Sequence, residues 1–400
     1  MEGSQIAENK YLRFFCYLVL MELFLMGSGQ ELPIISFLTL RMVNFLIAVT
    51  ISIYLFVRIN DFPKILLCIL LFFTILSLLS FSLANLIGTN MENVIEDIKP
   101  LSFFYILLFF YYMSYSEKMI RRTFDILLLA GKIMTFLYLV YILLTDVTGI
   151  VSYGVAYQTL ETDSFMFRGI GSAIFYKGFI FLPIAAVGFL KEKKYVWLIL
   201  VTIAIYCTYT RGLYLLLVVG LLVFYLKTHH VDIIKIVAFS LVVFLLYETV
   251  EVLELFSFDE SFKANREESD YIRVLIVQQV FDAVTYWSAI IGHGFGYGID
   301  ERATHMEISY LDIFHKQGIL GVSFWIMLLC TILYYGKSVA EKYRETADFW
   351  VTAALMIYLQ SFFNPYINTP MGMSVVLLAL VFCYRFSQDE RFADSSPVQC

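Results

Sequence analysis

Residues 195–227 read YVWLILVTIAIYCTYTRGLYLLLVVGLLVFYLK. This tract is apolar apart from Thr210-Arg211-Gly212 near its middle. A bilayer-crossing helix needs about 20 mostly apolar residues, so the tract holds a pair of spans that turn at Arg211. The rest of the chain follows the same pattern. Of its 400 residues 60% are hydrophobic and only 16% are charged, whereas a soluble domain carries about 25% charged residues. Mean hydropathy is +0.77, and the apolar residues come in runs rather than in alternation. A soluble enzyme, a disordered chain and a nucleic-acid binder are thereby excluded, and a helical membrane protein remains.

Working outward from this tract, twelve spans are predicted, near 11–28, 33–57, 62–88, 98–115, 121–144, 169–190, 195–210, 211–227, 232–250, 318–336, 347–364 and 371–386. Pro33, Pro63 and Pro100 stand near the starts of three of them, where the missing N–H costs nothing. Pro183 lies inside the sixth and is expected to kink it. The polar N-terminus lacks a basic leader and a small-residue cleavage site, so the first run reads as a retained span. Five of the six cysteines fall in apolar runs and the sixth is Cys400, which indicates neither a disulfide framework nor a zinc site.

Basic residues set the orientation, because cytoplasmic connections are enriched in Lys and Arg. With the N-terminus inside, 17 of the 28 Lys and Arg fall on inner connections, eight outside and three within spans. Both termini are therefore expected in the cytoplasm. Residues 1–250 read as a membrane domain with spans 1–9, 251–317 as a large outer loop, 318–386 as spans 10–12 and 387–400 as a cytoplasmic tail. The loop's 67 residues are too many for a plain linker. Within it 271–287 reads as a helix on or near the membrane surface. Gly292 with 293–298 (GHGFGYG) reads either as a tight, flexible turn or as a loop whose backbone N–H groups approach an anion, and 304–318 reads as a helix entering the tenth span.

The loop carries twelve acidic against five basic residues, so it invites neither nucleic acid nor bulk anionic lipid. Its chemistry must rest on individual side chains. Arg168, Arg211 and Arg273 stand at the outer face, where topology does not require cations. Guanidinium groups grip phosphate oxygens bidentately and stay charged, so together these three suit a lipid-linked diphosphate. The plainer alternative is that each snorkels to lipid headgroups. His305 and Glu307 are candidate acid/base groups, with His293 and His315 behind them. Against this, Thr304-x-x-Glu307 fits a capping box, in which Glu307 only ties up a helix start. His305, Ser309, Asp312 and Lys316 share one face at helical spacing, which is also what a wet face looks like. Within spans, Glu22, Arg41, Lys132 and Lys177 are costly in lipid and are expected to face the bundle or a cavity, Lys177 together with Arg168.

In order and spacing these features resemble the bacterial O-antigen polymerases, and more distantly the O-antigen ligases. The matching stretches are Arg168-Gly169, Thr210-Arg211-Gly212, and Arg273 leading to Ile291-Gly292-His293-Gly294-Phe295-Gly296. The last is Glu307-Ile308-Ser309-Tyr310-Leu311, followed by Gly318-Ile319-Leu320-Gly321. Where the ligases usually carry a His-Asn pair this chain has Glu307-Ile308, which favours a polymerase.

The resemblance implies an all-α polytopic protein of the bacterial inner membrane, like the type C glycosyltransferases, with about twelve transmembrane helices and one large periplasmic loop. It implies a glycosyltransferase needing no metal or cofactor, which moves a glycan from undecaprenyl diphosphate to the next lipid-linked repeat unit. Arg168, Arg211 and Arg273 would hold the diphosphate, and Glu307 or His305 would serve the acceptor hydroxyl. His293 and Tyr310 would make loop contacts, and membrane lipids and a chain-length regulator would be partners. An O-antigen ligase acting on lipid A-core, or a polysaccharide flippase, are the alternatives. Against a flippase stands the lack of any internal repeat.

Overall fold

The computed structural model describes residues 10–28, 33–35, 38–160, 165–167, 173–228 and 260–388. The elements follow in chain order. Helix α1 (Lys10–Leu25) leads through a two-stranded hairpin, β1 (Pro33–Ile35) and β2 (Leu38–Thr39), into α2 (Leu40–Ile59) and α3 (Lys64–Ile87). Then come α4 (Met91–Ser102), a 3-10 turn at Phe103–Ile106, α5 (Leu107–Met113), α6 (Glu117–Ile142) and α7 (Tyr153–Leu160). A second hairpin, β3 (Phe165–Phe167) with β4 (Ile174–Tyr176), precedes α8 (Phe181–Lys191), α9 (Tyr195–Cys207) and α10 (Arg211–Thr228). Last are α11 (Glu260–Ala283), α12 (Tyr286–Ile291), α13 (Ser309–Lys337), α14 (Arg344–Gln360) and α15 (Pro370–Ser387).

The protein is a multi-pass, essentially all-α membrane protein. Six helices among the described residues are long and apolar enough to cross a bilayer: α2, α3, α6 with its π-turn extension to Val147, α10, α13 and α15. Others among the expected spans are shorter. At 1.5 Å per residue, the 13 residues of α9 reach only about 20 Å of the ~30 Å hydrocarbon core. The ninth expected span, at 232–250, and Arg168 with its neighbouring glycines lie outside the described residues.

Several local expectations need correction. The stretch 169–190 is not one helix, because β4 and a 3-10 turn occupy its first half. Pro183 sits in the first turn of α8, directly after a 3-10 turn, rather than in mid-helix. Pro33 lies in a strand, and Pro100 lies near the end of α4 rather than at a helix start. The surface helix begins earlier than expected, at Glu260, and breaks before Thr285, whose hydroxyl caps α12 through Ser288. The split at Thr210-Arg211-Gly212 is present: α9 ends at Cys207 and α10 starts at Arg211.

Contacts divide the chain into two compact units, Met1–Ile126 with Val274–Cys400, and Leu127–Arg273. In the second, α8 packs against α9 and α10. Tyr138 donates its hydroxyl to the carbonyl of Cys207 at 2.8 Å, and Lys132 lies over the Trp197 ring. Around α15, in the first unit, the chain is buried almost continuously from Met371 to Cys383. A helix apolar on all sides belongs in the centre of a bundle, and α1, α5, α13 and α14 surround it. Phe73, Phe104, Phe324 and Trp325 form an aromatic cluster that joins α3, the 3-10 turn and α13. The Glu22–Arg41 pair, 2.8 Å apart and buried, shows how two costly charges on adjacent helices, α1 and α2, satisfy each other.

This unit has two polar ends. At one, Arg385 is held between the rings of Tyr111 and Tyr115, 4.0 and 3.9 Å from their centres, and its Nε donates to Ser114 Oγ. Tyr111 donates to the carbonyl of Asp61, and Tyr343 to Glu117. These are connections expected on the cytoplasmic side. The opposite end gathers 88–97, 292–309 and 361–369, all expected outside. We predict that Arg385→Met removes a desolvated cation–π site worth about 2 kcal/mol. The expected outcome is a lower midpoint of thermal unfolding in detergent with an unchanged helical circular dichroism spectrum.

Candidate functional site

The outer end of the first unit is organised around a break in α13. Gly318 has φ 63° and ψ −162°, so the helix path is interrupted there. A broken helix leaves carbonyls without intrahelical donors. Two of them are taken by the glycine-rich turn: His293 N–H donates to His315 O at 2.9 Å and Gly294 N–H to Lys316 O at 3.0 Å. Phe295 N–H reaches across to Ser80 O on α3, and its buried ring packs with Ala84 and Val94. The fit depends on missing side chains. A Cβ on Gly292 would lie 2.2 Å from the Lys316 carbonyl, and one on Gly294 would lie 2.6 Å from the Ala84 amide. The N–H groups of residues 292–296 are spent on protein acceptors, so neither a flexible turn nor a loop that keeps these amides for a bound anion is what forms here.

One of those acceptors is a side chain that the sequence did not single out. Asp97, near the end of α4, is almost fully buried. Its Oδ2 accepts the Gly296 N–H at 2.6 Å, and its Oδ1 faces Lys316 Nζ at 2.7 Å and His305 Nδ1 at 3.2 Å. Lys316 is also 2.7 Å from Asp312 Oδ1 and donates to the Thr304 carbonyl at 2.7 Å. Asp312 in turn accepts from Met306 N–H and from Asn368 Nδ2, while Ser309 Oγ donates to Asn368 Oδ1. Burial pushes the Asp97 carboxyl above the ordinary carboxylate range, with the Lys316 ammonium pulling the other way.

Helix α13 starts at Ser309, five residues later than expected, and so Thr304 and Glu307 form no capping box. Glu307 instead pairs with Arg302 at 3.0 Å, both partly exposed. His305 lies in the extended approach to α13, with Ser309, Asp312 and Lys316 on the helix below it. Those three are buried, so the shared face is not a wet one. His305 and Glu307 engage different partners. His293 Nδ1 and Nε2 stand 3.0 and 3.1 Å from the carbonyls of His315 and Ala283, which ties α11 to α13. Tyr310 donates to Tyr358 O and packs on Phe362, which ties α13 to α14.

Two of the three arginines are described. Arg211 is the exposed first residue of α10, where orphan N–H groups and the helix dipole favour an anion. Arg273 is half-buried on α11. Lys177 is half-buried at the foot of β4.

Asp97 was missed because its stretch, MENVIEDIKP, reads as a short polar connection. The usable signal was an acidic residue three positions before Pro100, on an outer connection that must dock somewhere. We predict that Lys316→Met, which leaves two buried carboxylates without their shared cation, costs about 3–5 kcal/mol. The loss should be greatest near neutral pH. A carboxyl whose folded pKa lies above its unfolded one adds stability only below the unfolded value, and loses it as pH rises through the folded value. Thermal unfolding at pH about 5 and about 7 checks this, and Lys316→Met/Asp97→Asn should recover part of the loss.

No protein-family model matches the chain. A protein from Shigella flexneri described as an O-antigen polymerase is 25% identical over 381 residues, covering 94% of this chain and 96% of that protein. The resemblance to the bacterial O-antigen polymerases, carried above by four short motifs, thus holds over almost the entire length of the chain.

Proposed function

We propose that the protein is an O-antigen polymerase of the bacterial inner membrane, with both termini cytoplasmic and its reaction at the periplasmic face. Its donor is a growing glycan on undecaprenyl diphosphate, and its acceptor is the next lipid-linked repeat unit. The observation that carries this reading is the meeting of the glycine-rich turn and the Glu307–Leu311 stretch at one end of the bundle. They meet around a buried charged group with His305 at its edge. An acid/base group fixed at the end of the bundle expected outside is what glycosyl transfer to an acceptor hydroxyl requires. The full-length similarity to a protein described as an O-antigen polymerase supports the same reading.

In this reaction an acceptor hydroxyl attacks the anomeric carbon of the donor sugar. A glycosidic C–O bond forms as the bond to the diphosphate oxygen breaks. The hydroxyl proton passes to His305 or Glu307, and undecaprenyl diphosphate leaves with its negative charge. Arg211 and Arg273, with Arg168, stabilise that charge as it develops. A chain-length regulator would act on the same membrane face.

The test is the purified chain in vesicles with an undecaprenyl-diphosphate-linked repeat unit. A ladder of product lengths supports a polymerase. Consumption only when lipid A-core is added would make it a ligase, and movement across the membrane without new bonds would make it a flippase. A charged hydrogen bond is worth about 1.5–3 kcal/mol, so Arg211→Ala and Arg273→Ala should each lower turnover roughly 10- to 100-fold. Unchanged polymer length and yield in both variants would remove the arginines from the site.

A further inference from the structure

The structure distinguishes the two acid/base candidates by what stands behind them. Glu307 is engaged by Arg302 on the partly exposed surface of the same segment. His305 leans on a buried carboxylate, its Nδ1 3.2 Å from Asp97 Oδ1, with its side chain 44% exposed. A proton carried on Nδ1 would face this carboxylate and leave Nε2 with the lone pair.

Asp97 and Asp312 contribute two negative charges, and Lys316 contributes one positive charge. One negative charge remains in a site of low dielectric, where charge interactions are strong. Asp97 is itself held by Lys316 and by the Gly296 amide, with His305 Nδ1 3.2 Å away. The Gly296 amide comes that close only because a Cβ there would lie 2.7 Å from the Val94 amide.

We propose that Asp97 is a positioning residue for glycosyl transfer, holding the His305 ring so that its Nε2 takes the proton of the acceptor hydroxyl. This rests on the polymerase reading above. In the step, the O–H proton moves to Nε2 while the hydroxyl oxygen bonds to the anomeric carbon and the carrier diphosphate departs with the electrons of the broken bond. The Nδ1 proton stays between ring and carboxylate. His305 then returns its proton to solvent.

The experiment uses the full chain in phosphatidylethanolamine–phosphatidylglycerol vesicles with the lipid-linked repeat unit. A general base contributes about 10²–10⁴-fold, so His305→Ala should lower kcat by that factor with KM little changed, and added imidazole should restore part of it. Asp97→Asn, which keeps the contact to Gly296, should lower kcat about 10- to 100-fold, as loss of an orienting partner does. It should add nothing in the His305→Ala background. If Asp97→Asn alone does not accumulate, Asp97→Asn/Lys316→Met removes both charges and carries the same expectation. Full turnover in His305→Ala while the wild type polymerises overturns the proposal but leaves the polymerase reading standing. So does a double variant that falls multiplicatively below His305→Ala. A wild type that builds no polymer overturns the polymerase reading, and the proposal with it.

Discussion

Lys316 lies 3% exposed between two carboxylates that come from distant parts of the chain. An isolated ammonium in such a place would be prohibitively costly, and so would either carboxylate without it. The three groups therefore specify one another. Asp97 brings α4 to the group, Asp312 and Lys316 bring α13, and Asn368 brings the connection before α15. The ends of three expected outer connections are gathered by this constraint, and the glycine-rich turn is then shaped to fit against it. Apolar side chains of similar volume can replace a buried ion group without loss of the fold, so what this group adds beyond stability is what it presents at its edge.

The membrane class was legible in composition alone, and most helices were legible as apolar runs. Boundaries failed where polar backbone chemistry competes with hydropathy. The run at 169–190 is apolar throughout its later part, yet Ile174–Tyr176 pairs as a strand with Phe165–Phe167. Hydropathy cannot tell a buried strand from a buried helix over so few residues. The helix expected from Thr304 starts at Ser309, because the preceding residues are drawn to tertiary partners: Thr304 O to Lys316 and Met306 N to Asp312.

The candidate site was half legible. His305, Asp312 and Lys316 were found on one face, but the sequence offered no way to tell a buried polar stripe from a solvated one. The deciding partner lies 219 residues away from Lys316 in the chain, beyond the reach of any local pattern. The glycines of 292–298 were seen but misjudged. Their spacing suggested freedom, whereas their role is close approach. Each surrenders a side chain so that backbone can lie against backbone, at Lys316, Ala84, Val94 and Ala303.

That reversal bears on how such a site can work. A loop that closes over its substrate would need its amides free to rearrange. Here the turn is pinned by main-chain bonds to α3 and α13, and its Gly296 amide is fixed on Asp97. Groups held this way need no reorganisation when charge moves, which is the usual source of large electrostatic contributions to rate. On the proposed reading, His305 works against this fixed frame through its neighbour Asp97. The adaptation needed to admit successive repeat units of a lengthening chain must come from elsewhere in the protein.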